Sequence, residues 1–513
     1  MRTGESPFNI GGNKMKLLEE ALLRQAEYLT RRHFLRQCTT GLGAMAFGSL
    51  LGCGDKKNIT TSSEAMPGIV RDLSRPFETL PPHFAPKAKS VIFLHMAGAP
   101  SQLELFDYKP ALRKLNGLDC PASLLEGKRF AFIKGVPKML GPQAQFKQHG
   151  QSGAWVSHHL PEFFKVVDEV TFLKAMHTEQ FNHAPAQLLM QTGGARLGRP
   201  SMGAWVTYGL GSENQNLPGF IVLLSGGKAP DAGKSGYGSG FLPTVYQGVE
   251  CRQKGEPVLY VSNPEGMSRD LRKQSLEAIQ AINRLEHEKT GDPETISRIA
   301  QYEMAFKMQV SVPEVMDIAR EPASIHEMYG TEPGKASFAN NCLLARRLVE
   351  QGVRFVQLFD WGWDSHGNDP ANALDKGFGD LCGKIDRPIS ALLRDLKQRG
   401  LLDETLVVWG AEFGRTPMQE NREGKQMAFK GRDHHTEAFT VWMAGGGIKK
   451  GYSHGETDEI GYYGIRDRTD VFDLQATILN QLGMNHEHLT YQFQGRPFRL
   501  TDVKGKVIKQ VIA

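Results

Sequence analysis

Five short apolar runs of strand length punctuate this chain, and acids or histidines follow most of them. They are Val91–Leu94 in KSVIFLHMAG, Val170–Leu173 in VTFLKAMH, GFIVLL (219–224), FVQLF (355–359) and LVVWG (406–410). Continuous apolar runs of this length suit strands buried on both faces better than half-exposed ones, which alternate. Helical patterns lie between them, at His183–Gln191, Ser201–Leu210, Phe338–Gly352 and Asp386–Arg399. Helix and strand in alternation predict an α/β fold, its central sheet mostly parallel and flanked by helices. Between Pro264 and about residue 335 the pattern turns helical and highly charged, as in an inserted surface element; Met304 and Met308 mark an apolar stripe there that suits packing.

In a parallel α/β sheet, ligands bind beyond the carboxyl ends of the strands. The residues that follow each run are therefore the candidates. After FVQLF come Asp360, Asp364 and His366; after LVVWG come Glu412 and Arg415. The next loop carries Asp433, His434 and His435. VTFLK is followed by His177, Asn182 and His183, and VIFLH by Ser101 and Glu104 after its own His95. Each has a plain structural role available. Asp364 and His366 suit turn caps, Glu412 an ion pair with Arg415, and His434-His435 a solvated loop. If the strands share a direction, these groups meet on one rim and form an oxygen and nitrogen donor set for a divalent ion (Zn, Mn, Mg or Ca). The candidate ligands are Asp364, His366, Glu412, His435, His434 and Asp433. His183, Asn182 and Arg415 are the candidate catalytic groups, with Arg415 suited to clamping an anionic ester. Ser201, after GRP, reads as a helix N-cap, and His486 and His488 as structural. The Gly-rich loop 225–240 fits neither a P-loop nor a dinucleotide fingerprint.

The net charge is +5, of which residues 1–52 supply +3, so the rest is too nearly neutral to suggest nucleic acid. Six scattered cysteines contain no CxxC pair and encode neither a zinc ribbon nor a disulfide scaffold. TRRHFLRQ (30–37) before the weakly apolar CTTGLGAMAFGSLLGCG (38–54) has the order of an export signal and resembles the twin-arginine motif. Leu50-Leu51-Gly52-Cys53 resembles a lipobox, which would anchor the chain through Cys53 in the periplasm or cell envelope. The expected organisation is an extension and signal at 1–53, a Ser/Thr/Pro-rich linker at 54–87 and one domain at 88–513.

TLVVWGAEFGRT followed by HHTEAFTVWMAGGGIKKG resembles the alkaline phosphatase/sulfatase superfamily. Glu412 falls on the superfamily's Asp ligand, with Phe413 in place of the paired His, and His435 falls on its later His. Asp364 and His366 in WDSHG match a ligand turn, and HAPAQLLMQTG matches the nucleophile segment, with His183 at the nucleophile and Gln187 at the arginine. Met96-Ala97-Gly98 lacks the usual first-strand Asp. Over 88–505 the phrases FNHAP, GRPSMGAWVTYGL, WDSHG, GEFGRTP-like and GRDHH resemble an uncharacterised sulfatase-like family of twin-arginine-exported proteins. The resemblance implies an alkaline-phosphatase-like fold. With the strand-end clusters it points to a metal-dependent hydrolase of sulfate or phosphate esters, small-molecule or polysaccharide, using metal-activated water or His183 as base or nucleophile. The missing first-strand Asp and Phe413 remove ligands from a two-metal site and favour a single metal held by some subset of Asp364, His366, Glu412 and His435. The alternative is a catalytically lapsed protein of this fold that binds an anionic or polysaccharide ligand.

Overall fold

The computed structural model describes residues 71–513 apart from Tyr260, Val261 and Glu423. The export signal, the Cys53 lipobox and the first part of the expected linker lie outside the described residues. Nine strands form the main sheet. In chain order they are β1 (Ser90–Ala97), β2 (Val170–His177), β3 (Phe220–Ser225), β4 (Val249–Cys251), β5 (Phe355–Trp361), β6 (Thr405–Gly410), β7 (Phe439–Ala444), β8 (Tyr452–His454) and β9 (Thr469–Asp470). Their spatial order is β8-β2-β7-β6-β1-β5-β3-β4, with β9 also paired to β2. All five apolar runs of the sequence are strands here.

The chemistry of the runs sets their depth. All eight residues of β1 are buried, and the side chains alternate between two separate cores. Ile92, Leu94 and Met96 face one core with Val356, Leu358 and Val407; Val91 and Phe93 face the other with Phe355, Phe359 and Val408. The period-two geometry of a strand makes this division. Helices cover both faces, which gives three layers. On the second face lie α1 (His183–Thr192) and α2 (Met202–Leu210). α3 (Arg269–Thr290) and α4 (Pro293–Met316) make the insertion, with Met304 and Met308 buried. On the first face lie α5 (Phe338–Glu350) and α6 (Phe378–Gln398), while α7 (Val471–Gln481) returns to the second.

Two local readings change. α6 begins at Phe378 rather than Asp386, running through Gly379, Gly383 and Pro388, because its apolar stripe of Cys382, Ile385, Ile389, Leu392 and Leu396 is buried throughout. Ser201 does sit at the N-cap position of α2, yet its hydroxyl donates to the Gly238 carbonyl and caps nothing. Residues 71–87, the end of the expected linker, lie along the domain: Leu80 N–H donates to Leu210 and Lys87 N–H to Gln481. Cys120, Cys251, Cys342 and Cys382 are buried free thiols.

One strand decides where the site can be. β7 runs antiparallel to both β2 and β6, whereas the remaining main-sheet pairings are parallel. The loop that enters β7, at 431–438, therefore sits at the same edge as the loops that leave β1, β2, β5 and β6. A two-residue antiparallel ladder, His434 to Arg415 and His435 to Gly414, pins that loop beside the exit of β6. No helix among the described residues is long and apolar enough to cross a membrane.

Candidate metal centre

Four side chains from three segments converge at this edge: His183, Asp364, His366 and His434. His183 is the first residue of α1, Asp364 and His366 follow β5, and His434 precedes β7. The Nε2 atoms of His183, His366 and His434 lie 3.1, 2.8 and 3.4 Å from a single oxygen, Oδ1 of Asp364. His366 Nε2 and His434 Nε2 are themselves 3.1 Å apart.

The opposite nitrogen of each ring is already committed. His183 Nδ1 donates to Glu412 Oε1 at 2.7 Å, His434 Nδ1 donates to the Phe181 carbonyl at 2.6 Å, and His366 Nδ1 donates to Glu420 Oε2. A neutral imidazole with its proton on Nδ1 carries a lone pair on Nε2. Three such lone pairs facing one carboxylate repel one another unless a proton on one Nε2 or a metal ion lies among them. His183 Nε2, moreover, is buried and off alignment for any hydrogen bond, an orphan of the kind a metal would satisfy. Acceptors that fix the far nitrogen are the usual support of metal-binding histidines. The donor set, three imidazoles and a carboxylate without thiolate, suits Zn²⁺ and similar borderline ions. The residues fit a metal.

Electrostatics agree with that fit. Burial alone would raise the Asp364 carboxyl, but Arg415 and the three imidazoles hold it well below the usual carboxylate range. Burial likewise disfavours a charged His183, yet Asp364 and Glu412 outweigh it and raise that imidazole to about 9. His434, buried and beside Arg415, is pushed down to about 3. Phe413 and Phe132 enclose the rings. Phe413 lies 4.9 Å from His183 and 4.4 Å from His434 between ring centres, and Phe132 packs edge-on against His366 at 4.9 Å. Solvent reaches the centre on the side of Asp364 and His183, which are 27% and 14% exposed, whereas His366 and His434 are 5% and 3% exposed.

The other expected site residues stand elsewhere. Glu412 is fully buried and backs His183 instead of facing the centre: Oε1 accepts from His183, Gln187 Nε2 and Gly98 N–H, and Oε2 is 3.1 Å from His95 Nε2. Arg415 spends its guanidinium inside the protein, on the carbonyls of Gly98, Ala99 and Arg432 and on Asp364 Oδ1 at 2.6 Å. It holds Asp364 and has no free edge for a leaving group. His435 donates through Nε2 to the Tyr462 carbonyl at 2.6 Å and points away from the cluster. Asp433 accepts from the Phe132 and Ile133 amides, beside Glu420 and His366. Asn182 is exposed at the N-cap of α1, without a side-chain cap bond. Glu420, Gln187 and the pairing of His95 with Glu412 were not marked by strand-end position. The only signal for Glu420 was an acid within the weakly charged run RTPMQEN.

A family model described as "Protein of unknown function (DUF1501)" matches residues 88–512. The chain belongs to that family. Within DUF1501, then, the centre lies wholly inside the matched region. A search of curated proteins finds no match. Among solved structures the chain is similar to the alkaline phosphatase of the Antarctic bacterium TAB5, with 11% identity, TM-score 0.31, and 78% of this chain and 99% of that one covered. It is also similar to a sulfatase from Pseudoalteromonas sp. (11%, 0.32, 78% and 68%) and to the phosphonate monoester hydrolase of Silicibacter pomeroyi (13%, 0.32, 77% and 73%). At these scores neither activity nor site detail is carried over from them.

Proposed function

We propose that this protein is an exported metal-dependent hydrolase of sulfate or phosphate esters. The observation that carries the proposal is the meeting of three Nε2 atoms on Asp364 Oδ1, each ring held by an acceptor behind it. His183, Asp364, His366 and His434 would hold the ion. When bound, a divalent cation supplies Lewis-acid polarisation of an ester oxygen and lowers the pKa of nearby water.

The chain's own residues then have distinct tasks. Glu420, Glu412 and the Phe181 carbonyl fix the rings, and Arg415 holds Asp364. Phe413 and Phe132 keep water from the rear of the rings. His183 has Nδ1 on Glu412 and Nε2 on the cluster, so the geometry favours it as a ligand over an attacking group. Of the residues that would hold the ion, Asp364 and His183 are the most exposed, so an ester would reach the centre from their side. Export itself rests on the twin-arginine-like segment at 30–54.

The test is metal analysis of the purified protein, followed by assay of aryl sulfates, phosphates and phosphonates with each divalent ion. One ion per chain and turnover that disappears in His366→Ala support the proposal. A chain that binds no ion and turns over none of these esters overturns it. One that binds an ion without turnover is the lapsed, ligand-binding form.

A further inference from the structure

A cleft of about 1120 Å³ opens beside the centre, between the exits of β3 and β5 and the flank of α6. Trp361, the last residue of β5, separates the two: its ring lies 6.0 Å from that of His183, at 72°. Asn372, which lines the cleft, donates to the Asp364 carbonyl and so ties its wall to the centre. The Lys228 ammonium sits 3.9 Å from the centre of the Trp361 ring. Gly226 (φ +81°) presses on the Trp361 backbone so closely that a Cβ there would come within 2.1 Å of its carbonyl oxygen. The wall is built, with Trp361 half-buried in it.

Two polar groups in the cleft are unspent. Asn372 donates from Nδ2 to the Asp364 carbonyl at 2.7 Å, but its buried Oδ1 has no hydrogen-bond partner. Lys384, exposed on α6, makes no hydrogen bond or ion pair among the described residues and acts on the Asp360 carboxylate of the same cleft only through its charge, whereas neighbouring Arg387 is tied to the Glu327 and Met328 carbonyls. An unpaired acceptor calls for a donor on the ligand, which a bare sulfate or a hydrocarbon tail does not offer. An unpaired ammonium calls for an acceptor. A hydroxyl supplies both, and a half-buried indole adds an apolar surface with a polar edge. The cleft exceeds the roughly 300–1,000 Å³ that holds drug-sized ligands, so more than one ring fits.

We propose that this cleft binds the saccharide of an oligosaccharide ester, placing it with its ester group toward the metal centre. The proposal rests on the hydrolase reading for the reacting end alone; saccharide binding in the cleft does not require the ion. It is tested on an array of sulfated and unsulfated hexasaccharides with the full domain, metal-free and metal-loaded. Calorimetry of the tightest hexasaccharide then follows on wild type, Trp361→Ala and Lys384→Ala. The expected result is saturable binding that survives metal removal, with about a tenfold loss of affinity in Trp361→Ala and a smaller loss in Lys384→Ala. Metal affinity in both variants, read by chelator competition, reports that the centre is intact. If no hexasaccharide binds a protein that does bind metal, or if both variants bind as wild type does, the proposal is overturned. Turnover of small aryl esters without hexasaccharide binding would leave the hydrolase reading standing and remove this one. Binding without turnover would do the reverse.

Discussion

Three Nε2 atoms around one carboxylate oxygen determine how the metal-free chain responds to pH. His183 titrates near 9 when folded, above the free value of about 6.5, so its contribution to stability is complete below 6.5 and is lost as pH rises through 9. His434 titrates near 3, so its effect is opposite: stability is present above 6.5 and is lost as pH falls toward 3. The contribution of this pair to the metal-free chain is therefore greatest near pH 6.5, which urea titration of wild type and His183→Gln across pH 4–9.5 will show. Metal binding at pH 7 should release about one proton, that of His183, read from calorimetry in buffers of different ionisation enthalpy. Glu420→Gln leaves His366 with a neutral acceptor and should weaken metal affinity about 10–100-fold, measured by chelator competition. Asp364 and His366 stood out as candidates because they follow a strand, and His434 because it lies in the histidine-rich loop that comes next. Glu420 was not, because it meets His366 only when a loop folds back, and no spacing records that.

Among the elements, the turn after β1 has the sharpest requirement. Gly98 has φ +104°, its N–H donates to Glu412 and its carbonyl accepts from Arg415. A Cβ at Gly98 would lie 2.7 Å from the Asp364 amide nitrogen. Gly98→Ala should cost about 1–3 kcal/mol in backbone strain and push Asp364 out of place. Gly193→Ala, at the left-handed end of α1, would collide with the Leu500 carbonyl far from the ligands. Both should lower the denaturation midpoint, but only Gly98→Ala should also reduce metal affinity. A buried ion pair braces the loop before β7: Arg432 meets Glu104 at 2.7 Å, and Glu104 also accepts the Gln143 and Ala144 amides. Glu104→Ala, which strands the guanidinium, should cost about 3–5 kcal/mol in chemical unfolding. Five of the nine main-sheet strands were legible from their continuous apolar runs, yet the short edge strands β4, β8 and β9 and the reversed direction of β7 were not. AFTVWMA has the same composition whichever way it runs, and only pairing with β2 and β6 decides.

Over the whole molecule, an ion that binds the folded centre and not the unfolded chain would shift the folding equilibrium. An ion at a hundredfold excess over Kd should add about 2.7 kcal/mol to the stability of the domain, seen as a higher melting temperature that a chelator reverses. The α/β class was legible from helix and strand alternation, and the rim from the residues after each strand; which of those residues face inward depends on packing that periodicity does not encode. The partners at the centre are far apart in the chain: 229 positions separate His183 from Glu412, and 317 separate His95 from Glu412. Contacts of such separation form late, because each must close a long loop before it gains anything. The centre therefore comes into being only when the sheet has closed from β2 to β5. If the centre takes up an ion, its capture would mark the closing of that sheet, and a stalled chain would remain visibly empty.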